Sequence, residues 1–111
     1  MRRDDLDDLL GRATRGEAEA LAALVERYSR RVFGLLYRLT GQQEVAEELL
    51  QETFLRLVQT IERYEHVGKF ESWLFRIAAN LARDRARTAG RRGSVASLEQ
   101  AAVRDALTDA D

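Results

Sequence analysis

The chain has 111 residues, of which 45% are apolar, with no proline and no cysteine. That length accommodates one small domain, and the missing thiols exclude disulfides, thiolate metal sites and thiol catalysis. A net charge of −1 predicts no nucleic-acid partner by itself, but the average hides segregation: Arg76 to Arg92 holds six arginines against the single Asp84, whereas Glu44 to Glu52 holds four glutamates and no base.

Two oppositely charged faces imply two different partners, although charge runs of this kind also occur as plain solvated surface. His66 is the one histidine, so a zinc site would have to be built almost wholly of carboxylates, and no metal or cofactor is expected. No apolar run approaches the roughly 20 residues that span a bilayer. The acidic N-terminus lacks the apolar core of a secretory signal, so a cytoplasmic location without a membrane partner is expected.

Ala, Leu, Glu, Gln and Arg dominate, which predicts an all-α fold. Asp4 or Asp5 is placed to cap a short first helix carrying Leu6, Leu9 and Leu10, with Gly16 as its stop. A second helix runs from about Glu17 to Thr40. Its apolar residues Leu21, Leu24, Val25, Tyr28, Val32, Leu35, Leu36 and Leu39 recur at steps of three, four and one, the signature of a single helical stripe. Gly41 ends it. The third helix opens near Gln43 or Glu44, and Ala46, Leu49, Leu50, Thr53, Phe54, Leu57, Val58 and Ile61 form its predicted buried stripe. Residues 63–69 read as a loop, because periodicity is lost and Gly68 lies within it. The fourth helix begins between Phe70 and Ser72, with Phe70, Trp73, Leu74, Ile77, Ala78 and Leu81 toward the core. Its polar face carries Arg76, Asn80, Arg83, Arg85 and Arg87. Residues 89–97 look like linker, and residues 98–107 fit a short amphipathic helix of marginal length. The expected fold is a compact bundle of three long helices plus a short N-terminal one, covering 1–88, with 89–111 the start of an acidic interdomain linker.

Two blocks, Ala46-Glu47-Glu48-Leu49-Leu50-Gln51-Glu52-Thr53-Phe54 and Phe70-Glu71-Ser72-Trp73-Leu74-Phe75-Arg76-Ile77-Ala78-Ala79-Asn80-Leu81-Ala82-Arg83-Asp84, occur in order at a fixed separation. Together they closely resemble region 2 of bacterial RNA polymerase sigma factors of the extracytoplasmic-function (ECF) type. Upstream, residues 16–20 and Arg27-Tyr28 fit as well, so the likeness covers residues 5–88. The resemblance implies that the chain docks on the β′ clamp coiled coil of RNA polymerase core and melts the promoter −10 element by capturing flipped bases of the single-stranded non-template strand. It also implies a second helical domain, region 4, that reads the −35 element. Nothing after Asp111 supplies that domain, so the chain is expected to be part of a longer protein. An anti-sigma factor is a further partner that the family implies.

Residues carried over to clamp docking are Glu47, Glu48, Gln51 and Glu52, whose side chains exchange hydrogen bonds with arginines on a partner helix. The same carboxylates also complement the helix dipole. Strand capture needs cations for the backbone and aromatic or apolar walls for an unstacked base. Tyr64, His66, Lys69, Phe70, Trp73, Arg76, Asn80 and Arg83 supply them, and the resemblance implies that residues 64–70 form the base pocket with Arg56 and Thr60 on the helix entering the loop. Trp73 and Phe70 also lie in the apolar stripe, where a core role is the simpler reading. No nucleophile–base pair, metal cluster or phosphate-cradling glycine loop is present in the sequence, so an enzyme is not expected. The competing reading is a small helical adaptor that binds protein through its acidic helix and never touches DNA. A double-stranded DNA binder of the nucleoid type is disfavoured by the net charge.

Overall fold

The computed structural model describes residues 3–64 and 68–88. Among these residues four helices are present, α1 (Arg3–Thr14), α2 (Ala18–Thr40), α3 (Gln43–Thr60) and α4 (Phe70–Thr88), with one 3-10 turn at Ile61–Arg63. The all-α bundle is as expected, and the long helices begin and end within a residue or two of their sequence-derived limits. His66 and the 89–111 segment, with its predicted helix at 98–107, lie outside the described residues.

α2 organises the bundle, because it packs against α1, α3 and α4. Its stripe explains why: Leu24, Tyr28, Val32, Leu35 and Leu36 are all buried. The corner between α1 and α2 turns at Gly16, whose φ is 82°. There Gly16 N–H donates to Ala13 C=O at 2.9 Å and Glu17 N–H to Arg12 C=O at 3.2 Å. Gly41, with φ 68°, closes α2 by donating its N–H to Tyr37 C=O at 2.8 Å. A left-handed residue at this position satisfies an orphan carbonyl at no steric cost for glycine.

Two expectations differ from the structure. α1 is already helical at Arg3, so Asp4 and Asp5 lie inside the helix and do not cap it. Val58, read as part of the buried stripe of α3, is 44% exposed. Leu57 and Ile61, one turn apart, take the core side, and Val58, about 100° round the helix from Leu57, is turned outward.

One long-range polar tie joins α2 to the start of α4. The Tyr28 hydroxyl donates to Glu71 Oε2 at 2.8 Å, and the Arg31 guanidinium donates to both Glu71 oxygens at 3.3 and 3.4 Å. Arg31 also lies over the rings of Tyr28 and Phe75. Burial, with the hydrogen bond and charge of Glu71 adding to it, pushes the Tyr28 phenol up to about 12 from its ordinary 10.0. A phenol held neutral in the folded state and ionising earlier in the unfolded chain contributes stability below pH 10, and loses it as pH rises toward 12. The expected result is an alkaline loss on the order of 2 kcal/mol across that window. Subtracting the pH–stability curve of Tyr28→Phe from that of the wild type, by urea titration, isolates it from the other titrating groups. Parallel curves would show that Tyr28 plays no part.

Candidate functional site

α3 and α4 pack side by side, and their outer edges leave a hollow of about 220 Å³. Arg56 and Thr60 line it from α3, and Trp73, Ile77, Asn80, Leu81 and Asp84 from α4. The α4 residues are spaced at i, i+4, i+7, i+8 and i+11, so one helix face presents them all. The volume is below the roughly 300–1,000 Å³ usual for drug-sized ligands, and suits a single planar ring better than an extended molecule.

The apolar wall is braced from behind. Trp73 stacks on Tyr64, with centroids 4.6 Å apart and planes at 27°, and Phe70 lies 5.8 Å from each. Phe70 in turn contacts Tyr28, 5.6 Å away. At 2% exposure, Phe70 takes the core position that its place in the apolar stripe favoured, packed against Trp73 and Tyr64. Trp73, half-buried, combines both roles offered for it: one part of the ring packs inward and another forms the hollow.

On the polar rim, Arg83 donates to Asn80 Oδ1 at 2.8 Å, which leaves the Asn80 amide N–H groups to face an acceptor. Thr60 donates its hydroxyl to Arg56 C=O at 2.8 Å, so its oxygen is the group it offers to a ligand. Lys69 and Arg76 are exposed on the same helix start and outer face but do not line the hollow. The sequence-predicted residues thus separate into those the fold brings together (Arg56, Thr60, Trp73, Asn80, with Arg83 bonded to Asn80), those that support from inside (Tyr64, Phe70), and those standing apart (Lys69, Arg76). Ile77 and Leu81 were read only as core, and Asp84 was not singled out.

The acidic face of α3 is exposed at Glu44, Glu47, Glu48, Gln51 and Glu52. Gln43 donates to Glu47 at 3.0 Å within the helix, and Glu48 accepts from Arg85 of α4 at 3.4 Å. The face continues into two apolar side chains, Leu55 at 57% exposure and Val58. Leu55 lies four residues beyond Gln51 and Val58 three beyond Leu55, so they share one edge of the helix. Among the described residues, no group of three or more His, Cys, Asp or Glu could hold a metal, and no helix is long and apolar enough to cross a membrane.

Comparison with known protein families gives the class to which this helical bundle belongs. The family model for sigma-70 region 2 matches residues 24–92, and the chain belongs to that family. Several of its relatives carry the ECF name: it is 47% identical over 68 residues to the ECF RNA polymerase sigma factor SigE of Mycolicibacterium smegmatis, covering 61% of this chain and 26% of that protein. To the ECF RNA polymerase sigma factor SigW of Bacillus subtilis it is 38% identical over 73 residues, 66% of this chain and 39% of that one. With RNA polymerase sigma factor CarQ of Myxococcus xanthus it shares 40% identity over 88 residues, 79% of this chain and 51% of that one. The chain therefore spans between about a quarter and a half of the length of these relatives.

Proposed function

We propose that this chain is the promoter-opening module of an ECF-type sigma factor. It docks through the acidic edge of α3 on the β′ clamp of RNA polymerase and holds an everted non-template base of the −10 element in the hollow between α3 and α4. The observation that carries this reading is the hollow itself. It joins an aromatic wall, Trp73, to polar groups able to read a base edge, Asn80 and Arg56, in a space fit for one base. Stacking is worth roughly 1–3 kcal/mol per base, so one or two captured bases offset the few kcal/mol of unpairing. Arg85 and Arg87, near the end of α4, meet phosphates and add affinity without sequence preference. The role is binding, with no chemistry on the nucleic acid.

The test is binding of labelled single-stranded −10 variants, with and without a β′ clamp fragment, followed by anisotropy. Alone, the chain is expected to bind weakly, since its acidic patches repel phosphate. The clamp fragment raises affinity for the non-template strand over its complement. Asn80→Ala flattens the preference among base variants, by a discrimination of about 1–3 kcal/mol. Arg85→Ala instead weakens all sequences alike and lowers the salt dependence. An adaptor that never reads DNA would show only salt-sensitive, sequence-blind attraction, and identical base profiles for wild type and Asn80→Ala would remove Asn80 from the reader.

A further inference from the structure

The rim of the hollow contains one anionic group, Asp84, among seven lining residues. Its neighbours there divide by chemistry. Arg56 can only donate hydrogen bonds, Asn80 retains its amide N–H groups because its Oδ1 is engaged by Arg83, and Thr60 retains its oxygen. Asp84 can only accept. Its Oδ1 is held by Arg87 from one turn along the helix, and its backbone carbonyl accepts from the Thr88 hydroxyl at 3.0 Å. The carboxylate is thereby steered by its own helix while lining the same space as Asn80, one turn away.

We infer that Asp84 is a specificity-determining residue of the hollow, selecting a base that carries an exocyclic amine and rejecting thymine. This rests on the reading that the hollow takes a base. A carboxylate facing a base edge needs an N–H donor at its end of that edge. Cytosine N4, adenine N6 and guanine N2 each carry an amine at the margin of the ring, where a carboxylate approaches unobstructed; pairing of Asp or Glu with cytosine N4 is the familiar case. Thymine has a single ring N–H, flanked on both sides by carbonyl oxygens. Bringing Asp84 to that N–H sets its charge against two acceptors, and keeping it away leaves the 59%-exposed carboxylate on Arg87 and water, with no hydrogen bond gained from the base. Asn80 and Arg56 supply the donors that a cytosine or adenine ring nitrogen beside the amine accepts from.

The sole tryptophan of the chain is Trp73, so its fluorescence reports a base entering the hollow. The experiment titrates the full chain with short homopolymeric strands of dC, dT and dA, and with an abasic strand of equal length. The two pyrimidines give the cleanest comparison, since they differ little in size. For the wild type, dC is expected to quench Trp73 at concentrations about fivefold to tenfold lower than dT, in keeping with one hydrogen bond to a charged group at a partly open site. In Asp84→Asn the two strands converge, because an amide can donate to a thymine carbonyl as well as accept. Asp84→Glu, which keeps the carboxylate, retains the order. Circular dichroism of each variant registers any loss of helix separately, and Asp84→Glu keeps the comparison available where the asparagine variant unfolds. Equal quenching of the wild type by dC and dT, an undiminished preference in Asp84→Asn, or a preference lost in a folded Asp84→Glu overturns the assignment of Asp84 and leaves base capture standing. A Trp73 signal no different for dC, dA and dT than for the abasic strand overturns both.

Discussion

Glu71→Ala is expected to lower the melting temperature by about 10 °C or more, read by circular dichroism, because a domain of this size shifts by roughly 4–8 °C per kcal/mol. The cost comes from two partners left behind. Tyr28 has no exposed surface, and without Glu71 its hydroxyl is a buried donor lacking its acceptor. Arg31, at 14% side-chain exposure, would lose both of its hydrogen bonds to the Glu71 carboxylate. Hydrogen bonds to charged groups are worth about 1.5–3 kcal/mol, and breaking one side of a fully buried pair costs about 3–5. Glu71 is 28% exposed, so water returns part of the loss, and about 2–4 kcal/mol is the expected range. The cycle of Tyr28→Phe, Glu71→Gln and the double variant should return a coupling above about 0.5 kcal/mol. A shift within about 0.5 kcal/mol, as for an ordinary surface change, would mean that the tie contributes nothing. The consequence reaches the hollow, because Glu71 sits between Phe70 and Trp73 in sequence. Tethering it to α2 fixes where that aromatic wall stands. A Glu71 variant that remains folded should therefore show an altered Trp73 emission even before any strand is added.

That tie also marks where sequence reasoning stops. The stripe of α2 was legible because helical periodicity is local: once Leu24, Tyr28, Val32 and Leu35 are seen to repeat, the buried face follows. The Tyr28–Glu71 contact joins residues 43 positions apart, and no local pattern announces it; Tyr28 reads as one more apolar residue in the stripe. The loop aromatics show the same limit in another form. Phe70 suits both a core and a base-reading role by its chemistry, and only its packing on Tyr28, Tyr64 and Trp73 decides for the core. Val58 follows Leu57 at a step of one, which a stripe tolerates, so periodicity alone does not show that Leu57 is buried and Val58 exposed. Asp84, in contrast, was within reach. The run Trp73, Ile77, Asn80, Leu81, Asp84 already spells one face of α4, and following it one turn past Asn80 would have placed a carboxylate beside the proposed base reader.

Charge reversal on the outer edge of α3 is expected to act on the partner and not on the fold. Glu48→Arg should weaken binding to the β′ clamp fragment by at least about thirtyfold, since setting like charges together across an interface costs several kcal/mol. Its thermal stability should stay close to wild type: the ion pair at stake among the described residues, with Arg85, is at 66% exposure for Glu48, where ion pairs contribute little. Gln51→Ala removes a neutral hydrogen-bonding side chain and should cost about threefold to tenfold. Leu55 makes the sharper comparison. It is more exposed than any other large apolar residue described and serves no visible purpose inside the domain, yet it extends the line of Gln51 and Glu52 along the same edge. If the clamp covers it, Leu55→Asp should match or exceed the loss of Gln51→Ala, because burying a leucine is worth about 1.5–3 kcal/mol. It should also be neutral or mildly favourable for the solubility of the isolated chain. The pattern across the three variants discriminates more than any one of them. Loss in Glu48→Arg and Gln51→Ala with none in Leu55→Asp confines the interface to the first turns of α3, whereas normal clamp titrations for Glu48→Arg and Gln51→Ala would leave the acidic edge as complement to its own helix dipole and nothing more.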